Sequence, residues 1–476
     1  MYIFANKYKK HTMKKNTSTI ILLTIMHLHV FGQNIAGQWS GTLNVSGQSL
    51  RLVLHIHETE NGYTATLNSL DQNATGIPIT EISFENNKLI FNIQDVIYYT
   101  GTLRNDSIKG LFKQNSVLLP LSFSKEKKKK NKPHRPQEPK KPYPYYEEEV
   151  LIDNPNSQGI TLAGTLTLPR KKGVFPAVIL VSGSGQQNRN SEIFGHKPFL
   201  VISDYLTRRG IAVLRYDDRG TAFSTGIHDT CSTYDFSTDA EAVFKYLQER
   251  KEINHRQTGF IGHSEGGMIA SMVAARNKEV AYLILLATPG IKGDSLLFLQ
   301  SKSMIYGMSD TEIEIALNNR RRQDSIILHT TDSKQMEKNL TDFFEEIFDK
   351  QASPSSTPEE KEKFVKQSVQ ITTGKYYQYF VKYDPASVLS QVRCPVLALN
   401  GENDSQVSAD ENLNSLQSLL FEAGNRDITI KKLPKLNHLF QTSQTGSYLE
   451  YAQIEETFSP KVLKIMLKWL KKNKIK

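Results

Sequence analysis

Between residues 33 and 124 apolar side chains take every second place in short runs: Leu50, Leu52, Leu54 and Ile56; Tyr63, Ala65 and Leu67; Leu89, Phe91 and Ile93. A period of two sends alternate side chains to opposite faces of a strand, so this stretch predicts a small antiparallel sheet curled into a barrel or sandwich. His55 and His57 fall opposite the leucines and read as solvated strand residues rather than metal ligands. Residues 125–148 change character, with five prolines and a run of lysines that cannot bury enough apolar surface to fold. This segment reads as a linker and spacer.

From residue 149 onward apolar runs alternate with helical patterns. Strands are predicted at 161–167, 177–181, 211–216, 258–262, 282–287, 396–400 and 428–433, with helices such as 238–250 and 460–473. The alternation implies a mainly parallel sheet covered by helices on both faces, whose active site lies at the carboxyl ends of the strands. Residues 291–385 break the rhythm. Met336, Leu340, Phe343, Phe344, Ile347 and Phe348 form a stripe at helical spacing, and Pro358 opens a further helix. A helical insertion here is either a cap over the strand ends or a purely structural excursion.

Charge removes one class of function. The formal net charge is +10, but residues 1–32 hold five lysines and no acid, and 125–149 hold nine basic residues against five acidic ones. The folded parts are nearly neutral, which takes away the main support for nucleic-acid binding. The N-terminus reads as an export signal of residues 1–32: a basic start at Met13-Lys14-Lys15, an apolar stretch over 20–30, and a cut near Phe31-Gly32-Gln33. Met13 is the expected start, and an exported protein, periplasmic or extracellular, is the expectation. Cys231 and Cys394 lie far apart with no CxxC spacing, which argues against a zinc site; an exported location permits a disulfide whose pairing depends on geometry, and two free structural cysteines are the default expectation.

The candidate chemistry starts at Gly262-His263-Ser264-Glu265-Gly266, which fits G-x-S-x-G between a strand and a small-residue helix. At such a corner a strained serine points its hydroxyl away from the sheet. The hydroxyl is a poor nucleophile until a base takes its proton, and a carboxylate must hold that base in one tautomer. Serine, acid, histidine is the chain order expected here. Asp404 sits just past the 396–400 strand, and His438 follows the next strand. Glu402 and Asp410 are rivals for the acid. The oxyanion hole calls for the amide of Glu265 and a second from the Ser182-Gly183-Ser184-Gly185 loop, with Ser184 chosen and Gly183 and Gly185 as neighbours. Arg215-Tyr216-Asp217-Asp218-Arg219-Gly220 reads as a loop-bracing ion-pair network, His263 as structural, and His196 and His228 as loop residues without a named partner.

GHSEGG, GSGQQNRN, RYDDRGTAFSTG, CPVLALNGENDSQV and LPKLNHLF together resemble the α/β-hydrolase superfamily, specifically its EstD-like bacterial esterases, from about residue 147 to the C-terminus. GQWSGTL and NSLDQNATGIPI resemble a small β-rich accessory domain that precedes such hydrolases in Bacteroidetes-type exported proteins. The resemblance implies Ser264 as nucleophile, Asp404 as acid and His438 as base. The oxyanion loop departs from the His-Gly of many lipases, carrying Ser182-Gly183, although Gly-Ser-Gly is common in the EstD-like group. The expectation is therefore an α/β-hydrolase fold with a helical cap at about 291–385, preceded by an all-β barrel-like domain. Its function would be cleavage of small-molecule carboxylic esters through an acyl-enzyme, with no metal or cofactor. An exported peptidase on the same triad, and a glycan- or surface-binding protein with an inactive hydrolase scaffold, are the alternatives.

Overall fold

The computed structural model describes residues 35–475 apart from 46–47, 60–61, 71–73, 95, 115–116, 126–133, 305–308 and 352–355. The expected export signal lies outside the described residues.

The N-terminal unit is one antiparallel sheet of nine strands. They are β1 (Gly37–Val45), β2 (Gln48–Thr59), β3 (Gly62–Ser69), β4 (Ala74–Pro78), β5 (Glu81–Glu85), β6 (Lys88–Ile93), β7 (Ile97–Arg104), β8 (Ser107–Gln114) and β9 (Val117–Lys125). Their order is β4-β3-β2-β1-β9-β8-β7-β6-β5, so the first strand pairs with the last and the sheet curls into a half-barrel. The period-two residues fill its concave side, where Trp39, Leu54, Ile56, Phe91, Tyr99 and Phe123 are almost fully buried. His55 sits on the other face and bonds Asn68 across the hairpin.

The C-terminal unit is an eight-stranded sheet of order β10-β11-β13-β12-β14-β15-β16-β17. β10 (Tyr146–Asp153) and β11 (Thr161–Leu168) are antiparallel, and β12 (Phe175–Val181), β13 (Ala212–Tyr216), β14 (Ile253–His263), β15 (Leu283–Leu286), β16 (Val396–Gly401) and β17 (Ile428–Leu433) are parallel to one another. Both faces are buried. Ala177, Ile179 and Val181 of β12 pack toward α2 (Thr233–Gln248), α3 (Glu265–Arg276) and α10 (Ala409–Glu422). Val178 and Leu180 pack toward α1 (Pro198–Thr207) and α11 (Pro460–Lys472), where Val462, Met466 and Trp469 form the buried stripe. Strand order reverses at β12, which lies between β13 and β14. Such a reversal opens a crevice at the carboxyl ends of the strands.

Two stretches differ from the sequence reading. β10 begins inside the predicted linker, and its Glu147, Glu148 and Glu149 pair with Lys141, Arg250 and Arg189. The described end of that linker is also docked. Arg135 donates to the carbonyls of Phe194, Gly195, Ala452 and Ile454, while Gln137 accepts from the amides of Thr457 and Phe458 and donates to the Phe458 carbonyl. Proline spacing predicts an extended backbone, but a guanidinium with five donors finds its acceptors in turns distant in sequence.

Between β15 and β16 lie α4 (Gly293–Met304), α5 (Asp310–His329), α6 (Ser333–Gln351), α7 (Pro358–Thr372), α8 (Lys375–Val381) and α9 (Pro385–Leu389). Ser309 with Glu312, and Thr357 with Glu360, cap α5 and α7 reciprocally. The predicted stripe of α6 forms its own small core with Val365 and Val369 of α7.

Candidate active site

Ser264 occupies the turn between β14 and α3 with φ 54° and ψ −124°, a left-handed conformation that costs energy for a residue with a side chain. Packing forces it. A Cβ at Gly262 would stand 2.2 Å from the Gly266 carbonyl oxygen, and one at Gly266 would stand 2.1 Å from that of Val181. Only glycine lets α3 start this close to β12, and Ser264 is left at the apex. Its amide donates to Leu286 O at 2.8 Å, tying the apex to β15.

The loop after β16 carries Asp404, whose side chain is fully buried. Its Oδ1 accepts from the amides of Gln406 and Val407 at 2.8 and 2.9 Å, and its Oδ2 lies 2.8 Å from His438 Nδ1. A carboxylate held this way takes the Nδ1–H of a neutral imidazole and leaves Nε2 as an acceptor. The rival Asp410 is paired instead with Lys432. His438 is steadied from its own loop, where Asn437 Oδ1 accepts from the amides of Leu439 and Gln441, and the Asn437 amide group donates to Gln441 Oε1. Beneath it His196, fully buried, bonds Thr457, Gln441 and the Tyr451 carbonyl. Burial pulls the His196 pKa down to about 4, so the ring is neutral.

His263 links the serine turn to this loop. Its Nε2 donates to the His438 carbonyl oxygen at 2.8 Å, and the two rings lie 4.8 Å apart. Burial, and then the neighbouring His438, lower its pKa to about 4. The residue read as merely structural therefore bridges the two segments.

The loop after β12 completes the surroundings. A Cβ added to Gly183 would lie 3.1 Å from Ser264 Cβ, so this backbone passes directly over the serine. Asp218 holds the loop by both oxygens, Oδ1 accepting from the Ser182 hydroxyl at 2.7 Å and Oδ2 from the Gln187 amide at 2.9 Å. Burial raises the Asp218 pKa to about 8. Its neighbours behave as the ion-pair reading expects, with Arg189 on Asp217 and Arg219 forked on Asp239. Glu265, next to the serine, is buried, with Thr233 donating to Oε1 at 2.6 Å and Tyr376 of α8 donating to Oε2 at 2.8 Å. Burial raises its pKa, and hydrogen bonds from Thr233, Tyr376 and Ser184 work against that rise. A cavity of about 10 Å³, room for one water centre, lies under the loop between Ser182, Asp218, His228 and Glu265. His228 stacks on Phe236 at its wall.

The described residues thus bring Asp404, His438, His263 and the Ser264 turn to one strand-end crevice, under a Gly-rich loop. The family model for the alpha/beta hydrolase fold matches residues 176–434. The chain belongs to that family. The chain is also similar to Esterase EstD of Thermotoga maritima, 26% identical over 318 residues, which span 64% of this chain and 66% of that protein, just under two thirds of its length. Among solved structures, an esterase of Pyrococcus furiosus aligns with TM-score 0.42 and 16% identity over 69% of this chain and 91% of that one. Est1E from Butyrivibrio proteoclasticus, with ferulic acid bound, aligns with TM-score 0.40 and 17% identity over 68% and 99%. At these scores the solved structures add nothing to the family assignment.

Cys231 and Cys394 are both free. Among the described residues, no helix is long and apolar enough to cross a membrane.

Proposed function

We propose that this hydrolase is exported and cleaves carboxylic esters of small molecules through a Ser264–His438–Asp404 triad. The observation that carries the reading is the buried 2.8 Å contact between Asp404 and His438, beside a serine held at positive φ. The Ser264 oxygen attacks the ester carbonyl carbon while its proton passes to His438 Nε2. The tetrahedral oxyanion takes hydrogen bonds from the amide of Glu265 and a second amide of the loop over the serine, assigned to Ser184. Collapse expels the alcohol, which leaves with the proton from His438, and the acyl group stays on Ser264. Water then attacks the acyl-enzyme, giving one proton to His438, which returns it to Ser264 as the acid departs. Asp404 keeps the imidazole in the tautomer that can accept.

The similarity to Esterase EstD supports an ester rather than an amide. A peptidase that recognises a free substrate amine would need uncommitted carboxylates to hold it, and Glu265, next to the serine, and Asp218, which holds the loop over it, are both committed to protein donors. The test is turnover of p-nitrophenyl esters from acetyl to dodecanoyl beside the matching anilides. Ester turnover that exceeds anilide turnover by orders of magnitude supports the reading, and faster anilide turnover defeats it. Export is checked by the N-terminal residue of the protein recovered from a Gram-negative host. A start near Gln33 agrees, and an intact Lys14-Lys15 segment does not.

A further inference from the structure

We propose that Tyr376 is a positioning residue through which the cap sets the oxyanion hole, acting on the Glu265 side chain whose own backbone amide is the first donor. The inference rests on the assignment of Ser264 as nucleophile.

Glu265 begins α3 and is only 2% exposed, so its carboxyl cannot turn to bulk water. Three segments meet on it. Thr233 comes from the start of α2, Ser184 from the loop over the serine, and Tyr376 from α8 of the cap, far along the chain. The Tyr376 ring is seated between Phe236 at 6.5 Å and Phe380 at 6.0 Å, which fixes where its hydroxyl points. Moving α8 away would strip a donor from a carboxyl that is almost wholly shielded from bulk solvent, an expensive loss for a buried polar group.

The carboxyl cannot absorb such a change by itself. Its backbone adjoins Ser264, whose strained positive φ persists only while the surroundings of the turn, the Glu265 side chain among them, hold it. A displaced side chain therefore moves the amide that faces the developing oxyanion. Such donors act only when held in place beforehand. The cap helix α8, read from sequence as either a lid or a structural excursion, acquires a chemical reason to be where it is.

The test uses the full chain with Tyr376→Phe, Glu265→Gln and the double variant, each checked for an unchanged melting temperature. Tyr376→Phe keeps the ring packing and removes the hydroxyl, with its bond to Glu265 and its contact with Ser184. Its kcat on p-nitrophenyl acetate is expected to fall roughly tenfold, well below the 10²–10³ of deleting a donor outright, with KM within about twofold. Glu265→Gln is expected to lose kcat similarly, and the double variant to be no slower than the worse single one, as for two ends of one contact. The rate of phosphonylation by a fluorophosphonate, in which the serine oxygen displaces fluoride from phosphorus, should fall in parallel. An unchanged kcat in Tyr376→Phe, a change confined to KM, or fully multiplicative losses in the double variant would overturn the inference while leaving the esterase reading intact. A wild type inert to both ester and fluorophosphonate would overturn the esterase reading, and this inference with it.

Discussion

Replacing Asp404 by asparagine alters one atom, at Oδ2, which faces His438 Nδ1 closely and the Asn400 amide at 3.5 Å. Asp404 Oδ1 accepts from the amides of Gln406 and Val407, so the carbonyl of an asparagine settles there and keeps both bonds. Its NH₂ is then placed where Oδ2 was, 2.8 Å from His438 Nδ1. Two donors cannot share that distance, and the imidazole moves its proton to Nε2, where it can no longer accept from Ser264. Deleting the correct tautomer in this way lowers kcat by about 10⁴, or about 5 kcal/mol of transition-state stabilisation. The pocket keeps its shape, so the melting temperature should stay within a few degrees of wild type. The assay is p-nitrophenyl acetate hydrolysis at pH 7 beside a thermal melt of the same sample. A loss below tenfold in a normally folded protein would refute the role given to Asp404.

Gly266→Ala brings a Cβ to 2.1 Å from the Val181 carbonyl oxygen and 2.4 Å from that of Ser182, both backbone atoms. We expect at least about 3 kcal/mol of destabilisation in urea titration together with lost activity, and a neutral result would show that α3 can move. Arg135→Ala removes the guanidinium from four hydrolase carbonyls, with an expected loss of about 1–3 kcal/mol, whereas an unchanged melt would return this segment to a passive spacer. Stability should also fall as pH rises from 6.5 to about 8. Over that range buried Asp218 keeps its proton in the folded state, with its pKa raised to about 8, while in the unfolded chain it has already ionised, its ordinary value being 3.8. The folded state thus binds the extra proton, and its advantage is lost as pH climbs through the folded value. Buried His196 and His263, lowered to about 4 from 6.5, act in the opposite sense but only below pH 6.5. One proton across this window is worth at most about 2 kcal/mol. Asp218→Asn should flatten the dependence, and an unchanged slope would place its origin elsewhere.

The site was legible wherever short-range geometry dictates residue type. Gly262 and Gly266 reveal the corner because no other residue fits, and Asp404 and His438 reveal themselves by following strands. The half-barrel was legible because its concave side is filled at strict period two. Long-range polar contacts left no local trace. Tyr376 on Glu265, His263 on the His438 carbonyl and Arg135 on four distant carbonyls are chosen by three-dimensional proximity alone. β10 escaped for a related reason, since its glutamates look like solvated charges until Arg189 and Arg250 are seen beside them. Asp218 was grouped with a charge network, yet it binds a hydroxyl and an amide.

The most direct test of the account is to treat the full chain and its Ser264→Ala variant with a fluorophosphonate and locate the adduct by peptide mass spectrometry. The account predicts one phosphonyl group per wild-type chain, on the peptide containing Ser264, with none on the variant. An adduct on another residue, equal labelling of the variant, or no labelling of a folded wild type would contradict it.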